Sequence, residues 1–173
     1  GGGGTRLGAL QVVSADDVAA AAVTAASLVQ VDGTGTTTLG GAVNTNGALG
    51  VNIVNETIAV NAGITTTGTG IVTLNADTAT LTLLGVGDIN SDGAVNLTGA
   101  TGITTAGDVT TTGDLIEYHS ATTLSGDIAL ASAGGNVAFD STLDGTVAGT
   151  EDLTITAGAG DVNMQGNIGG TTA

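Results

Sequence analysis

A three-residue signal recurs along this chain: Gly, then Asp or Asn, then a branched apolar residue. It reads Gly87-Asp88-Ile89, Gly107-Asp108-Val109, Gly113-Asp114-Leu115, Gly126-Asp127-Ile128, Gly135-Asn136-Val137, Gly160-Asp161-Val162 and Gly166-Asn167-Ile168. Gly, Asp and Asn favour turns, and the branched residue opens a strand. A turn-then-strand signal at short, regular intervals points to a repeat architecture.

The signal belongs to two interleaved series. Glycines at 41, 63, 87, 107, 126, 145 and 166 lead into Val43, Ile64, Ile89, Val109, Ile128, Val147 and Ile168, at spacings of 19 to 24. Glycines at 70, 93, 113, 135 and 160 lead into Val72, Val95, Leu115, Val137 and Val162, at spacings of 20 to 25. Two corners returning at the same short period describe a chain turning round a closed path. A third marker agrees. An apolar-x-apolar pair opens each unit: Leu10/Val12, Val29/Val31, Val51/Ile53, Val72/Leu74, Val95/Leu97, Ile116/Tyr118, Val137/Phe139 and Val162/Met164. Residues two apart share a strand face, so each pair puts two side chains inward. The next residue, expected to face out, is polar in six of the eight units.

These observations predict an all-β fold, a parallel β-helix (β-solenoid) of about eight coils of about 21 residues each. It forms a single domain over residues 1–173. No coil buries its own apolar residues; stacking does. Eight coils at about 4.8 Å make a rod roughly 38 Å long, and the general rule for parallel crossovers favours a right-handed coil. A β-sandwich is the alternative. It would require hairpin turns, yet Asn-Gly occurs once and Asp-Gly three times. Residues 14–27 conflict locally: Ser14-Ala15-Asp16-Asp17 before an Ala-rich run has the form of a capped helix. The run keeps the coil phase, so it is read as the first coil.

Composition fits thin layers. Of 173 residues, 31 are Gly, 32 Thr and 26 Ala, with one Phe, one Tyr and no Trp. Val, Ile, Leu and Ala must therefore fill the interior, and 41% apolar content argues against disorder. The net charge is −15, with Arg6 the one cation among Lys and Arg positions. Such a chain is not expected to bind nucleic acid or an anionic membrane. No apolar run approaches the roughly 20 residues that span a bilayer, so membrane insertion is not expected. Neither Cys nor Pro occurs, and the first residue is Gly1 rather than Met, as in a processed product or a segment of a longer chain. The stretch from Val162 to Ala173, followed by a second Gly1 to Leu10, together makes one coil. Head-to-tail copies would therefore meet in phase. End-to-end stacking or tandem copies are expected, with self as partner.

Several phrases, Thr36 to Val43 (TTTLGGAV), Gly93 to Gly99 (GAVNLTG), Gly102 to Val109 (GITTAGDV) and Phe139 to Gly145 (FDSTLDG), resemble the large repetitive surface proteins of bacteria, the filamentous-haemagglutinin-like group. The resemblance covers most of the chain. It implies a secreted or cell-surface right-handed β-helix acting as a stalk, fibre or adhesin, with a surface glycan as a further partner.

Candidate chemistry is sparse. Residues 88–96 match the first nine positions of an EF-hand-type loop, with Asp88, Asn90, Asp92 and Asn96 as side-chain ligands and Gly93 at the turn. The twelfth position, an acidic residue in such loops, is Gly99. Stacked coils would also place Asp88, Asp108 and Asp127 in one column about 4.8 Å apart, where like charges repel or invite a cation. Weak calcium binding along this corner is the expectation; solvated turn carboxylates are the plainer one. His119 falls in the outward column between Thr98 and Asp140 and reads as a surface His beside a carboxylate, with no second His for a metal centre. No catalytic residue and no cofactor are expected. Carboxylate pairs suited to glycoside cleavage are too numerous to be informative, and aromatic platforms are scarce. Ice binding needs a flat column of Thr. Measured from the second apolar residue of each unit, Thr36, Thr65, Thr80 and Thr110 fall at +5, +12, +6 and +13, which do not align.

Overall fold

The computed structural model describes residues 5–170, and every described element is a strand. The 21 strands lie on three faces of a β-solenoid, and all strand pairs are parallel. Face A carries β3 (Val23–Gln30), β6 (Val51–Asn55), β9 (Val72–Ala76), β12 (Val95–Gly99), β15 (Ile116–Tyr118), β18 (Val137–Phe139) and β21 (Val162–Met164), with β1 (Leu7–Val12) beside β3. Face B carries β2 (Val18–Ala20), β4 (Thr36–Leu39), β7 (Thr57–Val60), β10 (Thr80–Leu83), β13 (Gly102–Thr105), β16 (Thr122–Leu124) and β19 (Leu143–Gly145). Face C carries β5 (Val43–Thr45), β8 (Ile64–Thr66), β11 (Ile89–Ser91), β14 (Val109–Thr111), β17 (Ile128–Ala131) and β20 (Leu153–Thr156), and joins face A through β3. Parallel pairing with no hairpin excludes the sandwich. Residues 14–27 form β2 and most of β3, so the helix-like stretch is coil.

The register shows how the period arises. Val51, Val72, Val95, Ile116, Val137 and Val162 pair in succession on face A. Each is an inward side chain, and each coil supplies two inward residues per face. The apolar part of the core is aliphatic except at Tyr118 and Phe139, which stack with ring centroids 4.6 Å apart and planes at 12°, and hydroxyl and amide side chains fill some of the other inward positions. Stacking one aromatic on the next coil's aromatic fills the same layer position in both coils, so neither coil is distorted by its large side chain.

The two glycine series are two of the three corners. Glycines 41, 63, 87 and 107 lie between faces B and C; glycines 70, 93, 135 and 160 lie between C and A. The third corner, between A and B, has no constant glycine and carries no sequence signal. In β1 and β3 the C-to-A corner is crossed without a break, with Ala25 and Leu28 both inward. The following coil inserts residues 46–50 there, and Gly50 takes φ 56° with its α-carbon side so close to the next coil that a Cβ would lie 2.0 Å from Ile71 O. Only glycine fits such a site.

Four expectations are corrected. In the second coil the inward pair is Leu28/Gln30, in register with Val51/Ile53, not Val29/Val31; Val31 is exposed. The straight corner leaves Ser27 and Leu28 both buried, which shifts the alternation by one residue. Ile116, not Leu115, occupies the column of Val95 and Val137. Val109 pairs with Leu130 rather than Ile128, which moves Asp127 out of the column of Asp88 and Asp108. Val147 and Ile168 are exposed: residues 146–152 form a loop, held where Glu151 accepts the Thr146 hydroxyl and the Val147 N–H, and face C resumes only at Leu153.

Candidate functional site

The corner aspartates act along the rod. Asp88 Oδ1 accepts the Asp108 N–H of the next coil at 2.9 Å, Asp108 Oδ1 accepts the Ala129 N–H at 2.7 Å, and Asp127 Oδ1 accepts the Asp152 N–H at 2.9 Å. Asn136 Oδ1 treats the Asp161 N–H in the same way at 2.9 Å. Two of these amides, of Asp108 and Asp161, follow a corner glycine, while Ala129 lies in β17 and Asp152 just before β20; in each case the short acceptor side chain supplies a partner from the preceding coil, as an N-cap does for a helix. The Gly-Asp/Asn signal is therefore an inter-coil clamp.

Residues 88–96 do not wrap a point. Ile89, Ser91 and Val95 are inward strand residues, so the segment is extended along two faces. Asn90 projects outward from β11, Asn96 outward from β12, and Asp88 is engaged with Asp108 N–H. Asp92 bridges its two neighbouring coils: its carboxylate accepts the Thr69 N–H of the preceding coil at 2.8 Å and the Thr112 hydroxyl of the following coil at 3.0 Å. These bonds, the Thr69 amide first, hold its carboxyl below the usual aspartate range. Thr69 is a non-glycine residue at φ 62°, and the Asp92 bond holds it in that conformation.

A second hydroxyl ladder lies inside. Thr66, Ser91, Thr111 and Ser132 occupy the second inward position of face C and are buried. Thr66 Oγ1 donates to Gly70 O at 2.6 Å, Thr111 Oγ1 to Asp114 O at 2.6 Å, and Ser132 Oγ to Gly135 O. Each ties the C-to-A corner to the strand that enters it. Gln30, Thr37 and Asn55 form a further buried polar group: Gln30 Oε1 accepts the Thr37 hydroxyl at 2.5 Å, the Thr37 oxygen accepts from Asn55 Nδ2 at 2.8 Å, and Gln30 Nε2 has no partner.

Outward threonines do form columns. On face B, β4 to β7 aligns Thr36 with Thr57, and Thr82, Thr104 and Thr123 align in β10, β13 and β16. On face C, Asn44, Thr65, Asn90 and Thr110 align. The arithmetic that separates Thr36 from Thr80 and Thr65 from Thr110 carries the register slip of the second coil and unequal corner lengths. Ala59 interrupts the face B column and asparagines alternate in face C, so neither is a uniform Thr surface.

Three side chains converge at the A-to-B corner. His119 Nδ1 lies 3.0 Å from Asp140 Oδ2, and His119 Nε2 lies 3.5 Å from Glu117 Oε2. Among the described residues this is the one group of three His, Cys, Asp or Glu side chains with ligand atoms within 4.8 Å of one another. The coil period brings Asp140 beside His119 but does not single out Glu117, two positions earlier on the same outward face.

The two ends of the rod differ from its sides. At the C-terminal end, Leu124 and Leu143 from face B, Leu153 from face C and Met164 from face A line an open cavity of about 500 Å³, with Val147 and Ile168 at its rim. Val162 and Ile168 are exposed there, and Leu7 is exposed at the opposite end. Among the described residues no helix is long and apolar enough to cross a membrane. No protein-family model, curated protein or solved structure matches this chain.

Proposed function

We propose that the chain is a structural, adhesive solenoid unit of a secreted or cell-surface fibre, extended by stacking of a second copy on its open end. The observation that carries this reading is the mouth of the core. Val162 and Met164 are the inward pair of the last described face A strand, and they continue the column of Val137 and Phe139. Leu10 and Val12 are the corresponding pair of the first strand, in register with Leu28 and Gln30. Placing Leu10 and Val12 of one copy on Val162 and Met164 of another continues the column unchanged. It also pairs β1 with β21 through backbone groups that otherwise end in open edges. Burial of Leu7, Val162, Ile168 and the cavity lining favours the contact at about 25 cal/mol per Å² of apolar surface. The adhesive role follows the resemblance to filamentous-haemagglutinin-like surface proteins.

The test is sedimentation of the parent chain and of Val162→Asp over a concentration series. Val162 is 46% exposed, so the substitution places a charge at the end of the rod without removing a packed core residue. The parent is expected to grow in mass with concentration and Val162→Asp to stay monomeric with an unchanged melting temperature. A parent chain that remains monomeric at the highest concentration contradicts the proposal.

A further inference from the structure

The Glu117, His119 and Asp140 group has the arrangement of a metal-binding imidazole with its supporting partners. It lies on the side of the rod and does not depend on end-to-end stacking. β15 and β18 pair in register, with Ile116 on Val137 and Tyr118 on Phe139. The ladder continues past the strands: the His119 N–H donates to Leu97 O, the Asp140 N–H to Tyr118 O and the Gln165 N–H to Phe139 O. His119, Asp140 and Gln165 thus stack at one corner of three successive coils. Gln165 Nε2 donates to Asp140 Oδ1 at 2.9 Å, which orients the carboxylate. Its other oxygen, Oδ2, meets His119 Nδ1 at 3.0 Å. The Asp140 carboxylate is an acceptor, so in the neutral imidazole the Nδ1 proton goes to it and the Nε2 lone pair is left free.

That lone pair faces the Glu117 carboxylate. Nε2 and Oε2 are 3.5 Å apart, with no donor between two atoms that both carry lone pairs. With the ring neutral, a metal cation between them resolves this, as a second ring proton does in the imidazolium. Zinc binds imidazole nitrogen and carboxylate oxygen at about 2.0–2.2 Å, which puts two ligands of a tetrahedron about 3.4 Å apart. The observed separation matches that edge before any ion is added. Asp140 then plays the part of the outer carboxylate that fixes the ring's tautomer and orientation. Imidazole nitrogen selects against calcium and magnesium, which take oxygen ligands.

We propose that His119 Nε2 and Glu117 Oε2 bind one divalent transition-metal ion of the zinc type, with Asp140 and Gln165 as positioning residues. Two protein ligands leave two positions of the tetrahedron for water or for a donor from another molecule. Asn96 pairs with Glu117 one coil away and Thr98 precedes His119 in the same outward column, so the neighbouring side chains are polar and small.

His119 is the only His in the chain, so its ring resonances report on this site alone. The experiment is a titration of the full chain, stripped of metal, with zinc chloride, followed by the His119 ring protons in NMR and by calorimetry. A saturable shift complete at one equivalent is expected, with no comparable shift from calcium in excess. His119→Gln and Glu117→Gln are expected to lose the saturable event, and Asp140→Asn to keep it with affinity lower by about 10-fold or more. All variants are expected to melt with the parent, which separates loss of the site from loss of the fold. Two results overturn the proposal. One is a His119 resonance unmoved by zinc, the behaviour of an imidazolium donating to both carboxylates. The other is an unchanged zinc isotherm in His119→Gln, which assigns the ion to corner carboxylates instead.

Discussion

Gly41→Ala is the sharpest test of how tightly the coils are stacked. A Cβ at this position would lie 1.0 Å from Ala21 O and 2.2 Å from Ala21 C. Relaxed contact needs about 3.5 Å, so the two coils must part by roughly 2.5 Å at the B-to-C corner, about half of the 4.8 Å strand spacing. Three backbone bonds cross there: Gly40 N–H and Gly41 N–H to Ala20 O, at 2.8 and 3.2 Å, and Val23 N–H to Ala42 O at 3.0 Å. At about 1 kcal/mol net for each, the loss is about 3 kcal/mol. Gly63→Ala is the control. Its Cβ would meet only Asp88 O, at 3.6 Å, an ordinary contact. Reduced freedom of the unfolded chain makes that change neutral or stabilising by about 0.5 kcal/mol. Urea unfolding followed by far-ultraviolet circular dichroism reads both. With a slope of about 2 kcal/mol per M, Gly41→Ala is expected to lower the midpoint by about 1.5 M and Gly63→Ala to leave it in place. Equal midpoints for both variants and the parent would refute the close approach of Ala21 to Gly41.

Three further outcomes follow from the corners and the core. Asp108→Ala, which removes the acceptor for the Ala129 N–H, is expected to cost about 1 kcal/mol in urea unfolding, while Asp108→Asn, which keeps an oxygen there, costs much less. Tyr118→Phe is expected to raise the urea midpoint by about 0.5 M, equivalent to about 1 kcal/mol, because the buried Tyr118 hydroxyl has no hydrogen-bond partner and the stack on Phe139 survives. Asp92 titrates below its ordinary value of about 3.9 in the folded chain, so its contribution is complete above that pH and disappears as pH falls through the lowered value. The melting temperatures of the parent and Asp92→Asn should therefore differ at pH 6 and draw together as the pH is lowered into the acid range below the ordinary aspartate value.

The coil was legible because its period is carried by side chains that cannot face outward. Seven of the eight apolar-x-apolar pairs are the inward pairs of face A, and their spacing alone gives the stacking. The exception is instructive. Val29 and Val31 are more apolar than Leu28 and Gln30, yet the backbone, passing straight through the corner, buries the latter pair. Gln30 is accommodated because Thr37, on the next face of the same coil, bonds to it and Asn55 of the following coil bonds to Thr37, an arrangement across faces and coils with no local signature. The same limit hid the site at His119. Asp140 and Gln165 each follow the inward pair of their own coil and are found with His119 in the outward column; Glu117, two positions before His119, carries no such mark. The corner aspartates were visible as a pattern, but their role was not. A Gly-Asp turn looks the same whether its carboxylate meets water or the amide of the next coil, and only the register decides. Asp127 shows this, since its partner is Asp152 rather than Asp108.

Electron microscopy of the full chain at rising concentration, in enough salt to screen its charge of −15, tests the central claim most directly. The account predicts unbranched filaments one solenoid wide, with an axial repeat of about 38 Å for each eight-coil copy. Isolated rods of that length at every concentration would contradict it.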